Sequence, residues 1–452
     1  MKLKPVFVLL MLTGFSALPQ QPVFSGEVNL EGFNSESDKL PFWLHSNRRG
    51  RISEETNVAG WLSGKMNYDL GSASALEMGG GILYSDGFKD EIAIDQLYAQ
   101  FTNSWLQVIV GRKQRPELYN GLSATNENIL WSLNARPLPG IQVQTSQPIF
   151  FGRNRRFGFD AAWEEYLMGK NRFVQNARLH HKSFHLLYRI ENGWEIKAGL
   201  QHFAQWAGTS PDFGEQPNSF KDYLRIVSGR GGDEGARQGD VENALGNHLG
   251  SWELYITKKS GKFTTQFIFN NIFEDGSGSR FANFPDGRYG IFVKSTEKNR
   301  WFQSLIYEFY YTRNQSHDVN KWGADNYLGH RLMYNSGFTY QDQILGAPFF
   351  IYDGERDLVV NNKFAAHHLG LAGNYSLFSH SYPYKLLLSY SHNEGTYAEE
   401  LNPEALDEDV LYLYSEAQIL ERPFRLNFKI GADFNSIKKP VFGAGLSLIK
   451  EF

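Results

Sequence analysis

Two runs near the C-terminal end constrain the fold more than anything else in the chain. In 424–434, Phe424, Leu426, Phe428, Ile430, Ala432 and Phe434 alternate with Arg425, Asn427, Lys429, Gly431 and Asp433. In 441–452, Phe442, Ala444, Leu446, Leu448 and Phe452 form one row, while Gly443, Gly445, Ser447 and Glu451 fall on the other. Strand side chains point to opposite faces with period two, so this hairpin has one face fit for hydrocarbon and one fit for water. A soluble β-sandwich alternates in the same way between core and solvent. So does a closed antiparallel barrel in a membrane, where hydrocarbon tolerates neither an unpaired backbone donor nor an open sheet edge.

Connection lengths separate the two. Working back from Phe452, strands are expected at 410–419, 384–392, 364–375, 301–312, 287–294, 263–273, 249–258, 194–206, 178–190, 157–166, 141–150, 106–112, 93–102, 75–84 and 58–69, with one or two more in 24–47. Alternate connections are short, at 71–74, 103–105, 152–156, 191–193, 259–262, 295–300, 376–383 and 421–423. The others are mostly long, at 113–140, 207–248, 274–286, 313–363 and 393–409. Outer-membrane barrels carry short turns on the periplasmic rim and long loops outside, and a sandwich has no reason to segregate them. The expected fold is therefore all-β: a transmembrane antiparallel β-barrel of about 18 strands, outer-membrane type, with both termini on the periplasmic side. One short helix is expected, at 124–133, inside a long loop. The inward row that includes Tyr412, Tyr414, Glu416, Gln418, Arg425, Lys429 and Asp433 calls for a hydrated or plugged lumen.

Composition agrees. Aromatic residues make up 15% of the chain and there are 44 glycines, yet mean hydropathy is negative. A barrel reconciles the two, since only alternate residues meet lipid and aromatic girdles sit at both interfaces. Residues 1–20 read as a cleaved secretory signal, with Lys2 and Lys4 as its basic start, 6–12 as its apolar centre, and Gly14 and Ser16 as small residues near the cut. The remainder, 21–452, reads as a single barrel domain in the outer membrane of a Gram-negative bacterium. No later stretch reaches the roughly 18 apolar residues of a transmembrane helix. The chain has no cysteine, which excludes disulfides, thiolate chemistry and a lipidated N-terminal cysteine. A net charge of −4 offers no basic face for nucleic acid.

Catalytic and metal chemistry finds little footing. His180, His181 and His185 lie on one expected strand, where positions i and i+4 stand about 13 Å apart, too far to share an ion. His367 and His368 point to opposite faces. No G-x-S-x-G elbow occurs, and the glycine-rich run 229–235 lacks the strand-to-helix setting of a phosphate loop. Glu274 beside Asp275, and Asp407, Glu408 and Asp409, are adjacent loop carboxylates of the kind solvent satisfies, although paired carboxylates also serve glycoside cleavage. What the long loops do carry is a recurring mixture of aromatic, amide, carboxylate and guanidinium groups. Trp206, Asp212, Tyr223, Arg225, Asn247, His248, Arg280, Asp286, Trp322, Asp325 and Tyr327 form the candidate glycan-binding set. Sugar rings stack on aromatic planes and planar polar groups bond paired hydroxyls, so such a surface suits carbohydrate. The competing role for each aromatic is to brace one loop against another.

Several segments carry a family likeness: LPFWLHSNRRGRIS at 40–53, LQHFAQWAG at 200–208, LGNHLGSWELY at 245–255 and FEDGSGSRFANFPDGRYG at 273–290. YTRNQS at 311–316, 334–350 ending in LGAPFF, and NNKFAAHHLG at 361–370 complete them. In this order they resemble the Wzi family of outer-membrane capsule assembly proteins over nearly the whole of 21–452. The resemblance implies an 18-stranded barrel that holds capsular polysaccharide on the cell by lectin-like binding, without catalysis or cofactor. The periplasmic helical bundle of the enterobacterial members has no counterpart in the helical patterns of this sequence. The expected partners are capsular or other surface polysaccharide, outer-membrane lipid and, during insertion, the barrel-assembly machinery. A porin or sugar-selective channel on the same fold is the alternative, and an outer-membrane enzyme acting on lipid or glycan the second.

Overall fold

In hydrocarbon every strand needs a hydrogen-bonded neighbour on each side, and the computed structural model shows that arrangement. It describes residues 21–232, 244–274, 276, 278–297, 300–318, 323–330, 333–377, 380–397 and 406–452. The expected signal segment 1–20, Asp275 and Trp322 lie outside the described residues.

The barrel strands are β1 (Val23–Ser35), β2 (Val58–Gly71), β3 (Ser74–Ser85), β4 (Ile92–Thr102), β5 (Leu106–Arg112) and β6 (Gly140–Thr145, continued by Ile149–Phe151). There follow β7 (Phe157–Leu167), β8 (Arg178–Ile190), β9 (Trp194–Trp206), β10 (Asn247–Ser260), β11 (Phe263–Phe273) and β12 (Gly287–Ser295). The last are β13 (Ser304–Tyr311), β14 (Phe364–Leu377), β15 (His380–Asn393), β16 (Glu408–Leu420), β17 (Arg425–Asn435) and β18 (Val441–Glu451). Both pieces of β6 pair with β7, so among the described residues the 19 sheet segments make 18 strands. Each strand pairs antiparallel with the next, and β1 pairs with β18 from Glu27↔Glu451 to Ser35↔Gly443, which closes the cylinder. Backbone bonds from Phe452 N to Gly26 O (3.0 Å) and from Gly26 N to Phe452 O (2.8 Å) carry the closure to the last residue.

The wall is inverted relative to a soluble domain. Leu97 is 60% and Leu186 57% exposed on its outside, while Lys429 is 2% and Glu308 0% exposed within. Large apolar groups exposed in a continuous belt, with charges buried inside, fit lipid outside and a filled lumen inside. No described helix is long and apolar enough to cross a membrane.

The two rims differ as expected. Short turns join β2 to β3, β4 to β5, β8 to β9 and β10 to β11 on one rim. At the β8–β9 turn Gly193 has φ +78, and a Cβ there would meet the carbonyl oxygen of Lys259 at 2.5 Å, so the turn needs glycine. The opposite rim carries the long loops. In three of them, 36–57, 113–139 and 312–363, the described residues fold into the lumen and share one hydrophobic cluster that includes Trp43, Leu44, Leu130, Trp131, Tyr327, Phe349 and Phe350.

Of the one or two strands expected in 24–47 there is one; a helical turn, α1 (Phe42–His45), follows it and packs against β16, β17 and β18. Phe42 N donates to Asp433 at 2.8 Å and Trp43 Nε1 to Ser389 at 3.1 Å, so α1 is seated by lumen-facing wall residues. The short helix expected at 124–133 is corrected: these residues form no helix. They run as irregular chain with one isolated bridge, Asn128↔Trp131; two short-range backbone bonds lie within the segment, and the carbonyls of Ile129 and Leu133 accept from Ala347 and Arg49 of the other plug loops in place of a helical ladder. A helix that the sequence reading did not place, α2 (Phe220–Ser228), lies in the loop after β9. Ser219 and Asp222 form a reciprocal capping box at its start, and Gly229 ends it at φ +62.

Candidate functional site: a plugged lumen and its two faces

The plug is fastened to the wall through buried charges on the inward rows. Glu308 of β13 accepts Arg288 Nε (2.9 Å) and Nη2 (2.5 Å) on one oxygen, together with the hydroxyl of Ser123, and the backbone N–H of Ala124 on the other (2.8 Å). Arg288 also donates to the carbonyl of Glu127 at 3.0 Å. Glu253 of β10 takes Asn128 of the plug, Gln201 and His185, the last at 2.5 Å. His368 of β14 meets the carbonyl of Leu122 at 2.7 Å. The 36–57 loop is held by a bidentate pair from Arg48 to Glu31 (2.7 Å each), shared with Lys429 (2.8 Å), and by Arg51 on Asp95 (2.7 Å). Charges this deep require partners with satisfied hydrogen bonds, and each of these carboxylates has them.

The three histidines of β8 fit this pattern and not a metal. His181 and His185 face the lumen, paired with Glu164 (2.7 Å) and with Asp160 (2.7 Å) and Glu253, while His180 faces outward to Glu165 at 2.6 Å. Among the described residues no group of three His, Cys, Asp or Glu side chains is placed to hold a metal ion. The loop carboxylates are occupied too. Glu274 accepts the backbone N–H of Asn326, Glu408 accepts Asn435 and Lys438, and Asp409 accepts Tyr390 and His392.

The candidate glycan set falls into three groups. On the outer wall, Trp206 is only 4% exposed, between Tyr223 (ring centroids 5.3 Å apart) and the guanidinium of Arg178 (5.0 Å from the ring). Tyr223 of α2 donates to Glu165 at 2.5 Å and accepts Trp163 Nε1 at 3.0 Å, and Arg225 lies one turn from Asp222. His248 bonds His202 and the carbonyl of Leu245. In and against the plug, Asn247 at the start of β10 donates to Gln205, Asp325 accepts Ser316, and Asp286, just before β12, accepts Tyr327 Oη at 2.9 Å; Asn247, Asp325, Asp286 and Tyr327 are all buried. Asp212 and Arg280 alone among the described members are exposed, each beside an exposed phenylalanine, Phe213 and Phe281. The structure thus does not gather the set into one cleft. Tyrosines and amides in loop segments identified it, and the same groups satisfy the backbone of a folded plug.

Burial sets the ionisation of Asp286. Loss of water raises its carboxyl to about 6, against the opposing pull of hydrogen bonds from the N–H groups of Gln315 and Asn314 and from the Tyr327 hydroxyl.

Below the plug, on the short-turn side, a cavity of about 750 Å³ remains. Its roof is the plug tip around Asn120 and Gly121 together with Asn47, Arg48 and Arg49; its walls include Glu27, Trp61, Lys385, Glu416, Asn427 and Ser447. Sequence reading did not single out this chamber. Its signal was present in the inward row of β17 and in the Arg48, Arg49, Arg51 run, which composition alone marks only as charged.

A sealed 18-strand wall, apolar outside and filled within, defines an outer-membrane β-barrel of the kind found in Gram-negative bacteria. No protein-family model and no curated protein matches the chain. Among solved structures the fold is similar to Wzi of Escherichia coli, described as an outer-membrane protein involved in group 1 capsule assembly and a carbohydrate-binding β-barrel. The TM-score is 0.60 at 14% identity over 94% of this chain and 84% of that one. It is also similar to OccAB4 of Acinetobacter baumannii (TM-score 0.50, 9% identity, 96% and 99% covered) and to OpdO of Pseudomonas aeruginosa (TM-score 0.51, 12% identity, 96% and 98% covered). At these identities the likeness is one of fold.

Proposed function

We propose that this barrel binds a capsular or other surface polysaccharide at its long-loop rim, in capsule assembly or attachment, by lectin-like contact without catalysis. The observation that carries the reading is the plug. Three loops place a shared apolar cluster in the lumen, and buried ion pairs from Arg48 to Glu31 and from Arg51 to Asp95 fasten one of them to the wall, which supports a surface role over conduction. The carbohydrate binding printed for Wzi supports the ligand class. Asp212 and Arg280, with Phe213 and Phe281 beside them, offer the pairing of ring face and planar polar group that sugars use. Outer-leaflet lipid and the barrel-assembly machinery are the remaining partners of this reading.

The test joins a gene deletion to a binding assay. Cells lacking the protein are stained for cell-associated capsule, and the purified barrel is titrated with polysaccharide extracted from the same strain. Loss of retained polymer together with direct binding is expected; unchanged capsule with no binding contradicts the proposal.

A further inference from the structure

We propose that the chamber beneath the plug is a second glycan site, reached from the periplasmic side, which takes a short hydroxyl-rich oligosaccharide. This rests on the polysaccharide reading and extends it to the opposite face of the barrel. A volume of about 750 Å³ lies within the range of small-ligand sites, ~300–1,000 Å³.

The lining specifies the chemistry through what it lacks. Asn29 Oδ1, Asn47 Oδ1, Asn427 Oδ1 and Ser447 Oγ are buried polar atoms with no hydrogen-bond partner, and all four residues line this one chamber. Asn29 is 4% and Ser447 1% exposed. Asn47 spends its amide N–H on the carbonyl of Ala124 and Asn427 spends its own on Glu416 at 3.0 Å, so what each leaves open is a carbonyl acceptor. Unmet acceptors call for a ligand that donates, and a ligand dense in O–H groups does so. A phosphate or carboxylate brings further acceptors; of the four atoms only the Ser447 hydroxyl can donate to it, and the three amide oxygens stay unmet.

Two other features suit a sugar. Arg51 holds its guanidinium 4.3 Å from the ring of Trp61, so a planar cation and an aromatic share one wall. Arg49 forms no ion pair among the described residues; it donates to the carbonyl of Arg115 and contributes a planar fork of donors to the roof. The charged groups of the walls are largely paired with one another, as Arg48 and Lys429 are on Glu31, so the chamber is polar without being strongly of one sign.

The absence of native cysteine supplies the test. Lys294 is an exposed residue of the chamber wall, so a Lys294→Cys variant places a lone thiol at its mouth. The full-length variant in detergent is labelled with a water-soluble maleimide, with and without short oligosaccharides cut by mild acid from the extracted polysaccharide. At saturation, labelling is expected to slow about tenfold. An added Asn427→Leu change abolishes the protection, in protein whose heat-modifiable gel mobility shows a folded barrel. Binding of intact polymer to cells carrying the same variants is scored in parallel and remains unchanged. Labelling indifferent to the oligosaccharides, or protection that survives Asn427→Leu, overturns the chamber site. Absence of polymer binding on cells is the separate failure of the surface reading.

Discussion

Glu308 receives Arg288 on one carboxylate oxygen at 2.5 Å and the backbone N–H of Ala124 on the other at 2.8 Å, so a single side chain ties the barrel wall to the plug. Both members of the ion pair are wholly buried. Removing one partner of such a pair strands the other charge at a cost of ~3–5 kcal/mol. Glu308→Gln is therefore expected to lower the thermal unfolding temperature in detergent and to release Ser123 and Ala124. A volume-matched apolar replacement of both residues should recover much of the loss. A Glu308→Gln melting curve superimposed on that of the parent protein contradicts this role.

Trp206 separates bracing from sugar contact. It sits beneath Tyr223 and Arg178 and joins the satellite cluster of Ala204, Ala207, Ile226 and Leu245. Trp206→Ala removes a buried ring at a cost of ~3–5 kcal/mol. The expected outcome is a lower melting temperature with polymer affinity retained. Arg280→Ala, at an exposed position, should show the reverse, with affinity down about tenfold, the scale of one charge-assisted hydrogen bond at ~1.5 kcal/mol, and unaltered melting. Titration of both variants with extracted polysaccharide decides between them.

Asp286 gives a pH dependence whose sign is set by burial. Its carboxyl is raised to about 6 from an ordinary 3.8. The folded protein then holds this proton more tightly than the unfolded chain, so the contribution is full below about pH 3.8 and is lost as pH rises through about 6. At ~1.4 kcal/mol per unit the effect amounts to about 3 kcal/mol. Amide hydrogen exchange around Asn314 and Gln315, which donate to Asp286, is expected to report weaker protection near neutral pH than near pH 5, once corrected for intrinsic rates. Asp286→Asn should flatten that difference; an unaltered pH profile in the variant contradicts the assignment.

The wall was legible in the sequence because lipid and lumen impose alternation on every strand. The expected run 424–434 lies within one residue at each end of β17, Arg425–Asn435, and the expected Trp194–Trp206 strand matches β9. Loop segregation was legible too, since it is a property of lengths. The plug was not. Residues 124–133 contain an apolar stretch that local rules read as a short helix, yet Ile129 and Leu130 are buried by chain more than two hundred residues away, where Ala347 N donates to Ile129 O at 2.8 Å. No periodicity marks a segment whose partners are irregular loops. The candidate site suffered for the same reason: Tyr327 and Asp286 have the composition of a sugar-binding pair and in the fold satisfy each other.

If the plug shuts the lumen, the barrel conducts no steady current across a planar bilayer. The parent protein is expected to insert without stable ohmic steps, whereas replacing 113–139 with a short glycine-rich linker, which removes Ser123, Ala124 and Asn128 from their wall partners, should open a steady pore. Sustained ohmic conductance from the parent barrel, equal to that of the shortened one, would show that the plug leaves the lumen open.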